Sequence, residues 1–379
     1  VVDDKNCTKC GKCIEVCKPG AINLEEQSKE IDVEVGTIIV AIGHDAYEPR
    51  KGEFGYGLYE NVVTTPQLER LLNKSGPTEG QLPSGKSPPK SVVFISCVGS
   101  RQEPGVYQPI EQNQQLNRYC SRLCCMAGLN NALEVKERYP KTRVYYLYRD
   151  IRTFGKGHED YYKKAGESRI IFMKYKPEAP PTVSSDPKGG IVVTVQDVLT
   201  GNETIAIPAD FVVLNVGIVP RADASQVQTM LKIPRGVEGF FSEAHAKLRP
   251  LDTPSDGIFI AGTAQGPKDI TDSTAMGSAA AARASIPLAK GKVELEPTVA
   301  YVDLSKCDGC AMCVEPCTFK AIAIEERKEN GEVKKRAIVN EALCKGCGAC
   351  AATCPPKAIY VKHFTLDQIS AMINAALAE

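Results

Sequence analysis

The stretches KCDGCAMCVEPC at 306–317 and LCKGCGACAATCPP at 343–356 decide how this chain is read. Each holds the run C-x-x-C-x-x-C-x-x-x-C, at Cys307, Cys310, Cys313 and Cys317 and again at Cys344, Cys347, Cys350 and Cys354. This is the spacing of iron–sulfur ligation, in which three thiolates of one short loop grip a face of a cubane and the fourth reaches the neighbouring cluster. By that rule one [4Fe-4S] cluster takes Cys307, Cys310, Cys313 and Cys354. The other takes Cys344, Cys347, Cys350 and Cys317. Gly309, Gly346, Gly348 and Ala351 are small enough to let backbone amides approach the sulfides. Between the runs, AIAIEERKENGEVKKRAIVN alternates as a hairpin would about Asn330-Gly331. Zinc knuckles would have to build two tetrahedral sites from the same eight thiolates, a poorer match to the x-x-C-x-x-x-C continuation.

A third run lies at Cys7, Cys10, Cys13 and Cys17, with Pro19 one place later than usual. The repeated runs resemble two-cluster ferredoxins, and the resemblance makes residues 296–362 such a domain. The N-terminal run has no partner beside it. It therefore reads as the second half of a ferredoxin module, over 1–32, whose other half is supplied by a companion chain or an upstream segment. The alternative is that all four cysteines close on one cluster. The chain opens on Val1 rather than methionine, which suits a missing upstream part equally well. A disulfide framework does not fit 16 cysteines bunched into compact groups within 379 residues, since disulfide-dense proteins are small and secreted.

Composition narrows the class further. Lys+Arg and Asp+Glu balance at 46 each, so the chain lacks the positive excess of a nucleic-acid binder. No apolar stretch reaches bilayer length and no signal-like segment opens the chain, so a cytoplasmic protein with no membrane span is expected. There is no G-x-S-x-G elbow for hydrolase chemistry.

The middle of the chain reads as α/β. VEVGTIIVAIGH (33–44) and GIFIAGTAQG (257–266) are strands ending in glycine turns, and DITDSTAMGSAAAARAS (269–285) is a helix of small residues. Strand–glycine turns of this kind carry flavin and nicotinamide cofactors. Their order resembles the thioredoxin-reductase family of two-domain flavoproteins. The resemblance implies FAD contacts at Ile42, Gly43 and His44, at Gly262, Thr263, Ala264 and Gln265, and at Ala275 on the helix. His44 either approaches the cofactor or fills a polar pocket at the turn. The first glycine fingerprint of that family, for the FAD pyrophosphate, falls upstream of residue 1, so the FAD would be shared with a half supplied elsewhere. The strand SVVFIS (91–96) opens the inserted domain without the fingerprint that would bind NADPH. Instead it leads to Cys97, and YCSRLCCMAG brings Cys120, Cys124 and Cys125 to the start of a helix. Once the three runs are set aside these four remain, as a non-standard cluster set or as ordinary buried cysteines. Arg149, Asp150 and Arg152, after the next strand, read as structural charges.

Taken together, CVGSRQ, YCSRLCCM, YRDIRTFGKGHEDYY, AGTAQGPKDI and KCDGCAMCVEPC closely resemble the heterodisulfide reductase A-subunit family. The resemblance runs along essentially the whole chain but only the latter part of the family's length. It implies an α/β two-domain flavoprotein with a partial ferredoxin module before it and a two-cluster ferredoxin domain after it. The expected segments are 33–90 and 236–295 for the flavin domain, 91–235 for the inserted nucleotide-binding-like domain and 363–379 for a C-terminal helix with a docking stripe. The implied activity is that of an oxidoreductase subunit working only within a complex. It would take electrons to FAD from a hydrogenase- or formate-dehydrogenase-like donor and distribute them, as electron bifurcation would, to B/C-like subunits that reduce the heterodisulfide and to ferredoxin. No side chain is assigned a catalytic role. The alternative is a passive multi-cluster relay without flavin chemistry of its own. Two departures from the family are an insertion at 103–117 and Asn130, where relatives carry a lysine near the flavin.

Overall fold

The structure of the chain is a computed structural model and describes residues 5–83, 87–110, 114–187, 190–292, 297–329 and 331–378. It has two compact units, Val1–Gly36 and Thr37–Glu379. In the first, the short helix α1 (Lys12–Val16) starts after Gly11 at φ 75° and stops at Cys17. None of its residues is buried, and the unit is built by its cysteine loop rather than by an apolar core.

The second unit begins with β1 (Ile38–Val40), β2 (His44–Ala46), β3 (Val62–Thr64) and α2 (Thr65–Leu72). Helix α2 starts at a reciprocal capping box between Thr64 and Gln67, with Pro66 in its first turn. There follow β4 (Ser91–Val98), α3 (Cys124–Arg138), β5 (Arg143–Tyr148), α4 (His158–Glu167) and β6 (Ile171–Lys174). Strands β7 (Thr182–Ser185), β8 (Ile191–Asp197) and β9 (Glu203–Ala209) make an antiparallel sheet of their own. The chain then runs through β10 (Phe211–Val216), β11 (Ile218–Pro220), α5 (Ala224–Leu231), β12 (Ile258–Ile260) and α6 (Ile270–Lys290).

The central sheet is parallel throughout, in the order β3-β10-β4-β5-β6. Its middle strands SVVFISCV and FVVLNV are apolar almost without alternation and buried at every position, as strands covered on both faces must be. One face packs on Leu129, Ala132 and Leu133 of α3 and Leu68 and Leu72 of α2. The other packs on Val193, Val195 and Ile207 of the antiparallel sheet. Here the structure corrects the expected segmentation. β3 falls within the 33–90 flavin segment, yet its buried Val62 and Val63 pair with Val212 and Val213. The five-stranded sheet therefore starts at Val62 and not at Ser91.

Two further pairings connect distant parts of this unit. β1 and β12 lie parallel, Ile38 opposite Ile258 and Val40 opposite Ile260, so the two glycine turns that follow them emerge together. β2 runs antiparallel to β11, with His44 opposite Pro220.

The last part consists of β13 (Ala300–Val302), the hairpin of β14 (Ile322–Glu329) and β15 (Glu332–Val339), α7 (Ala349–Ala352), β16 (Ile359–Val361) and α8 (Leu366–Leu377). β13 and β16 pair antiparallel. Of the expected Asn330-Gly331 turn, Asn330 lies outside the described residues; Gly331 takes φ 86°. The expected boundary at 295/296 lies outside them too, as does part of the 103–117 insertion. Helix α8 has a Thr365–Gln368 capping box and leaves Leu366, Met372, Ile373 and Leu377 exposed.

Candidate cofactor sites

The C-terminal core is too small to be held by aliphatic packing alone. Its buried residues Ala300, Val302, Ile322, Ala337, Ala358 and Ile359 pack directly against cysteines. Two cavities pass through it, and their linings cross between the runs. One is lined by Cys344, Cys347, Cys350 and Cys317. The other is lined by Cys307, Cys310, Cys313 and Cys354. This is the exchange of the fourth thiolate that the spacing implies. Burial, and then the neighbouring Cys307, Cys310 and Cys354, push the Cys313 thiol up to about 11. Burial followed by Cys344 and Cys347 raises Cys350. Clustered thiolates are tenable there only when metal charge is present to offset them.

Backbone amides point at the sulfurs. Ala321 N–H donates to Cys317 Sγ at 3.2 Å, Ala358 N–H to Cys354 Sγ at 3.3 Å, Ala300 N–H to Cys344 Sγ at 3.2 Å and Ala337 N–H to Cys307 Sγ at 3.4 Å. In the first unit Ala21 N–H donates to Cys17 Sγ at 3.3 Å. The fourth cysteine of every run thus receives the amide four residues on, and such bonds stabilise charge on sulfur. Cys7 and Cys10 lie in the loop before α1 and Cys13 on α1, with Cys10 and Cys13 exposed. Among the described residues no three Cys, His, Asp or Glu side chains gather closely enough for a single metal ion. A four-iron cubane is a larger guest than one ion with sulfurs about 2.3 Å away, and the donor sets, four thiolates at each crossed cavity with backbone amides aimed at them, have the chemistry to hold it.

The remaining four cysteines meet at the end of β4 and the start of α3. Cys97, Cys124 and Cys125 are buried and Cys120 is half-buried. Burial, and then Cys125 beside it, raise the Cys97 thiol to about 11, against the pull of Arg101 and Arg149. Cys124 donates to Cys125, which raises Cys124 and lowers Cys125. Cys97 feels Cys125 and Cys120, and Cys124 feels all three others, although Cys97 is more than twenty residues from its nearest partner in sequence. Arg122 N–H donates to Cys120 Sγ at 3.4 Å, and Arg101 Nη1 lies 4.0 Å from Cys97 Sγ. Cys97, Arg101 and Arg122 all take positive φ, at 64°, 54° and 61°. That is uncommon for residues carrying a Cβ and is sustained only where surrounding contacts impose it. Helix α3 begins at Cys124, which lets the adjacent Cys124 and Cys125 both face Cys97.

Beside this cluster of thiols lies a cavity of about 750 Å³, within the range of small-molecule and cofactor pockets. His44 and Thr263 line it from the paired strand ends, Arg122, Leu123, Met126 and Ala127 from the α3 start, and Lys268, Asp269 and Thr271 from the α6 start. Gly43 takes φ 80°, the left-handed region that favours glycine, and a Cβ added there would meet Thr263 Oγ1 only at ordinary contact distance, 4.0 Å. His44 Nδ1 is 2.9 Å from Thr263 Oγ1, and burial lowers the His44 pKa against the charge of Asp45. Burial and then the adjacent Arg122 lower the Lys268 pKa. Arg122 pairs with Asp272 at 3.1 Å and stacks over Phe154 at 5.0 Å.

Of the residues expected to touch flavin, His44 and Thr263 line the cavity. Gly43 and Gly262 form the two turns, while Ile42 and the buried Ala264 belong to the apolar cluster beneath them. Gln265 turns away to donate to Glu243 Oε2 and the Pro250 carbonyl, and Ala275 is exposed on α6. Asn130 lines a separate groove with Glu69, Glu134 and Arg138. The cations that do line the cavity, Arg122 and Lys268, escaped the sequence reading. Their only local signal was position, one beside Cys120 and the other one residue before the α6 N-cap.

A family model described as a 4Fe-4S dicluster domain matches residues 306–358. The A subunit of the H(2):CoB-CoM heterodisulfide,ferredoxin reductase of Methanothermobacter marburgensis is 47% identical over 381 residues, 100% of this chain and 55% of that protein. The iron-sulfur A subunit of the CoB--CoM heterodisulfide reductase of Methanocaldococcus jannaschii is 43% identical over 330 residues, 86% of this chain and 48% of that protein. The A subunit of the H(2)/formate:CoB-CoM heterodisulfide,ferredoxin reductase of Methanococcus maripaludis is 43% identical over 311 residues, 81% of this chain and 45% of that protein. The chain thus spans about half the length of the curated relatives it matches. Among solved structures, thioredoxin reductase of Lactococcus lactis superposes with a TM-score of 0.40 at 17% identity, over 67% of this chain and 66% of that one, a likeness too distant to bear on fold or cofactor. No helix among the described residues is long and apolar enough to cross a membrane. Over the stretch it spans, the chain is homologous to the A subunits of heterodisulfide reductases.

Proposed function

We propose that this chain is the flavin and iron–sulfur electron-transfer part of a heterodisulfide-reductase-like oxidoreductase complex. The observation that carries the reading is the shared wall of the 750 Å³ cavity, where the glycine-turn residues His44 and Thr263 face the α3 start that bears Cys124 and Cys125. FAD, when bound there, would supply the exchange of electron pairs for single electrons. Around it, the chain's own residues have definable tasks. Gly43 and Gly262 supply the positive-φ turns, and His44, its pKa lowered by burial and its Nδ1 in contact with Thr263 Oγ1, offers a hydrogen-bonding edge. Arg122 and Lys268 supply positive charge to an anionic or reduced guest. Leu123, Met126 and Ala127 exclude water from the side nearest the thiols.

The Cys97, Cys120, Cys124, Cys125 set would hold a [4Fe-4S] cluster within one helix turn of that cavity. The C-terminal pair of clusters would carry single electrons to and from partner proteins. A companion chain or segment would complete the FAD site and the N-terminal ferredoxin module. The names of the relatives mention hydrogen, formate, ferredoxin and the CoB-CoM heterodisulfide. We infer a hydrogenase- or formate-dehydrogenase-like donor, B/C-like subunits that reduce the heterodisulfide, and a second branch to ferredoxin, which together amount to bifurcation.

The test is iron, acid-labile sulfide and FAD per chain in the anaerobically purified native complex, with its subunits identified by mass spectrometry. About four iron atoms per cysteine set with FAD present are expected. Full clusters without flavin would leave a passive relay, and zinc in place of iron would overturn both readings.

A further inference from the structure

Arg149, read from sequence as a structural charge, sits in the wrong place for one. Its side chain is 2% exposed and lies within electrostatic reach of Cys97. Nη1 donates to the Arg101 carbonyl and Nη2 to Glu103 Oε1 at 3.0 Å, while Nε is buried with no partner. A buried guanidinium with an unmet donor is destabilising on its own account. Its carboxylate partner Glu103 is 42% exposed, so water screens that side of the pair more than the side facing the thiols.

Arg101 repeats the arrangement. Its guanidinium is 16% exposed, lies 4.0 Å from Cys97 Sγ and acts on Cys125 as well. It too meets its carboxylate, Asp150, on the more exposed side, at 2.8 Å. Asp150 is shared in turn with Lys174 at 3.5 Å. Arg152 adds a further positive charge beside Cys125. The inner surroundings of the four thiols are therefore net cationic.

We propose that Arg149 and Arg101 set the reduction potential of the cluster on Cys97, Cys120, Cys124 and Cys125, raising it so that this cluster accepts an electron more readily than its thiolates alone would allow. The inference rests on the proposed cluster reading of those four cysteines. Taking up one electron adds one negative charge to the cluster without moving a proton or breaking a bond. Fixed, poorly solvated cations nearby favour the reduced form, and net charge and hydrogen bonding to sulfur are among the factors that spread such potentials. The two arginines are positioning residues, since they act through the cluster rather than on a substrate.

The test is an EPR-monitored redox titration of the native complex, with dithionite as reductant and soluble mediators. The relevant signal is assigned by its loss in C120S. R149Q should lower its midpoint by at least 59 mV, a tenfold change in the one-electron equilibrium. R149K should keep most of the wild-type value, and R101Q should shift it in the same direction as R149Q. The C-terminal clusters should not move. If R149Q does not assemble, R101Q decides, because Arg101 is only part-buried and can be replaced without opening the core. A signal that persists with its midpoint unmoved in both variants overturns the role of the arginines and leaves the cluster in place. A wild-type complex in which C120S removes no signal and no iron overturns the cluster reading and the inference together.

Discussion

Replacing Cys354 by serine is the sharpest probe of the crossed C-terminal cavities. Cys354 follows the second run in sequence, yet it lines the cavity of Cys307, Cys310 and Cys313. Cys317, which ends the first run, lines the cavity of Cys344, Cys347 and Cys350. C354S should therefore remove the first-run cluster and leave the second-run cluster intact, a loss of about four iron atoms per chain. Double variants give the decisive comparison, because two changes at one site are not additive whereas changes at separate sites are. C354S with C307S should lose no more than about four iron atoms, while C354S with C344S should lose about eight. Iron and acid-labile sulfide per chain, with EPR of the reduced protein, read the result. If C354S with C307S lost about eight and C354S with C344S only about four, each run would close on its own cluster and the reasoning from cavity linings would be wrong.

Further expectations concern the loops and the interior. At Gly309, φ is 76° and an added Cβ would lie 2.5 Å from the Lys335 carbonyl oxygen, so G309A should push β15 from the Cys307 loop, costing about 1–3 kcal/mol. Its thermal midpoint and iron retention should both fall, and wild-type values in both would refute the crowding. Buried Asp252 accepts from Arg283 Nη2 at 2.7 Å and from Arg249 at 3.4 Å, pinning α6. D252N should cost about 2 kcal/mol, measured as a lower unfolding midpoint; an unchanged midpoint would mean the pairs contribute nothing. His44 has its pKa lowered, first by burial, so the folded chain binds fewer protons there than the unfolded chain does. That difference withdraws stability as pH falls below the unfolded value of about 6.5 and vanishes above it. Between pH 7 and pH 5 the thermal midpoint of H44Q should drop less than that of the wild type, and equal drops would count against a buried neutral imidazole.

The cluster ligands were the most legible feature, because ferredoxin-type ligation is local. Three thiolates come from one short loop, so spacing alone names them, and the hairpin alternation at 321–340 tells how the two runs fold onto each other. Strands such as SVVFIS and FVVLNV declare themselves by unbroken apolar runs, since a strand covered on both faces has no polar side to present. Here the sequence by itself picked out these strands and grouped the cysteines into their runs.

What it could not determine is which distant residues meet. His44 and Thr263 are 219 residues apart and come within 2.9 Å only because β1 pairs with β12. β3 joins the five-stranded sheet, across the expected boundary, because its two buried valines find partners on β10 rather than on their neighbours in sequence. Arg122 and Lys268 become the cations of one cavity, and Arg149 becomes a buried charge beside Cys97, only after α3 and α6 have packed. Burial and electrostatic surroundings are properties of the assembled core and depend on atoms far away in the chain. Residue type and spacing therefore named the candidate ligands, while the tertiary structure alone decided what surrounds them.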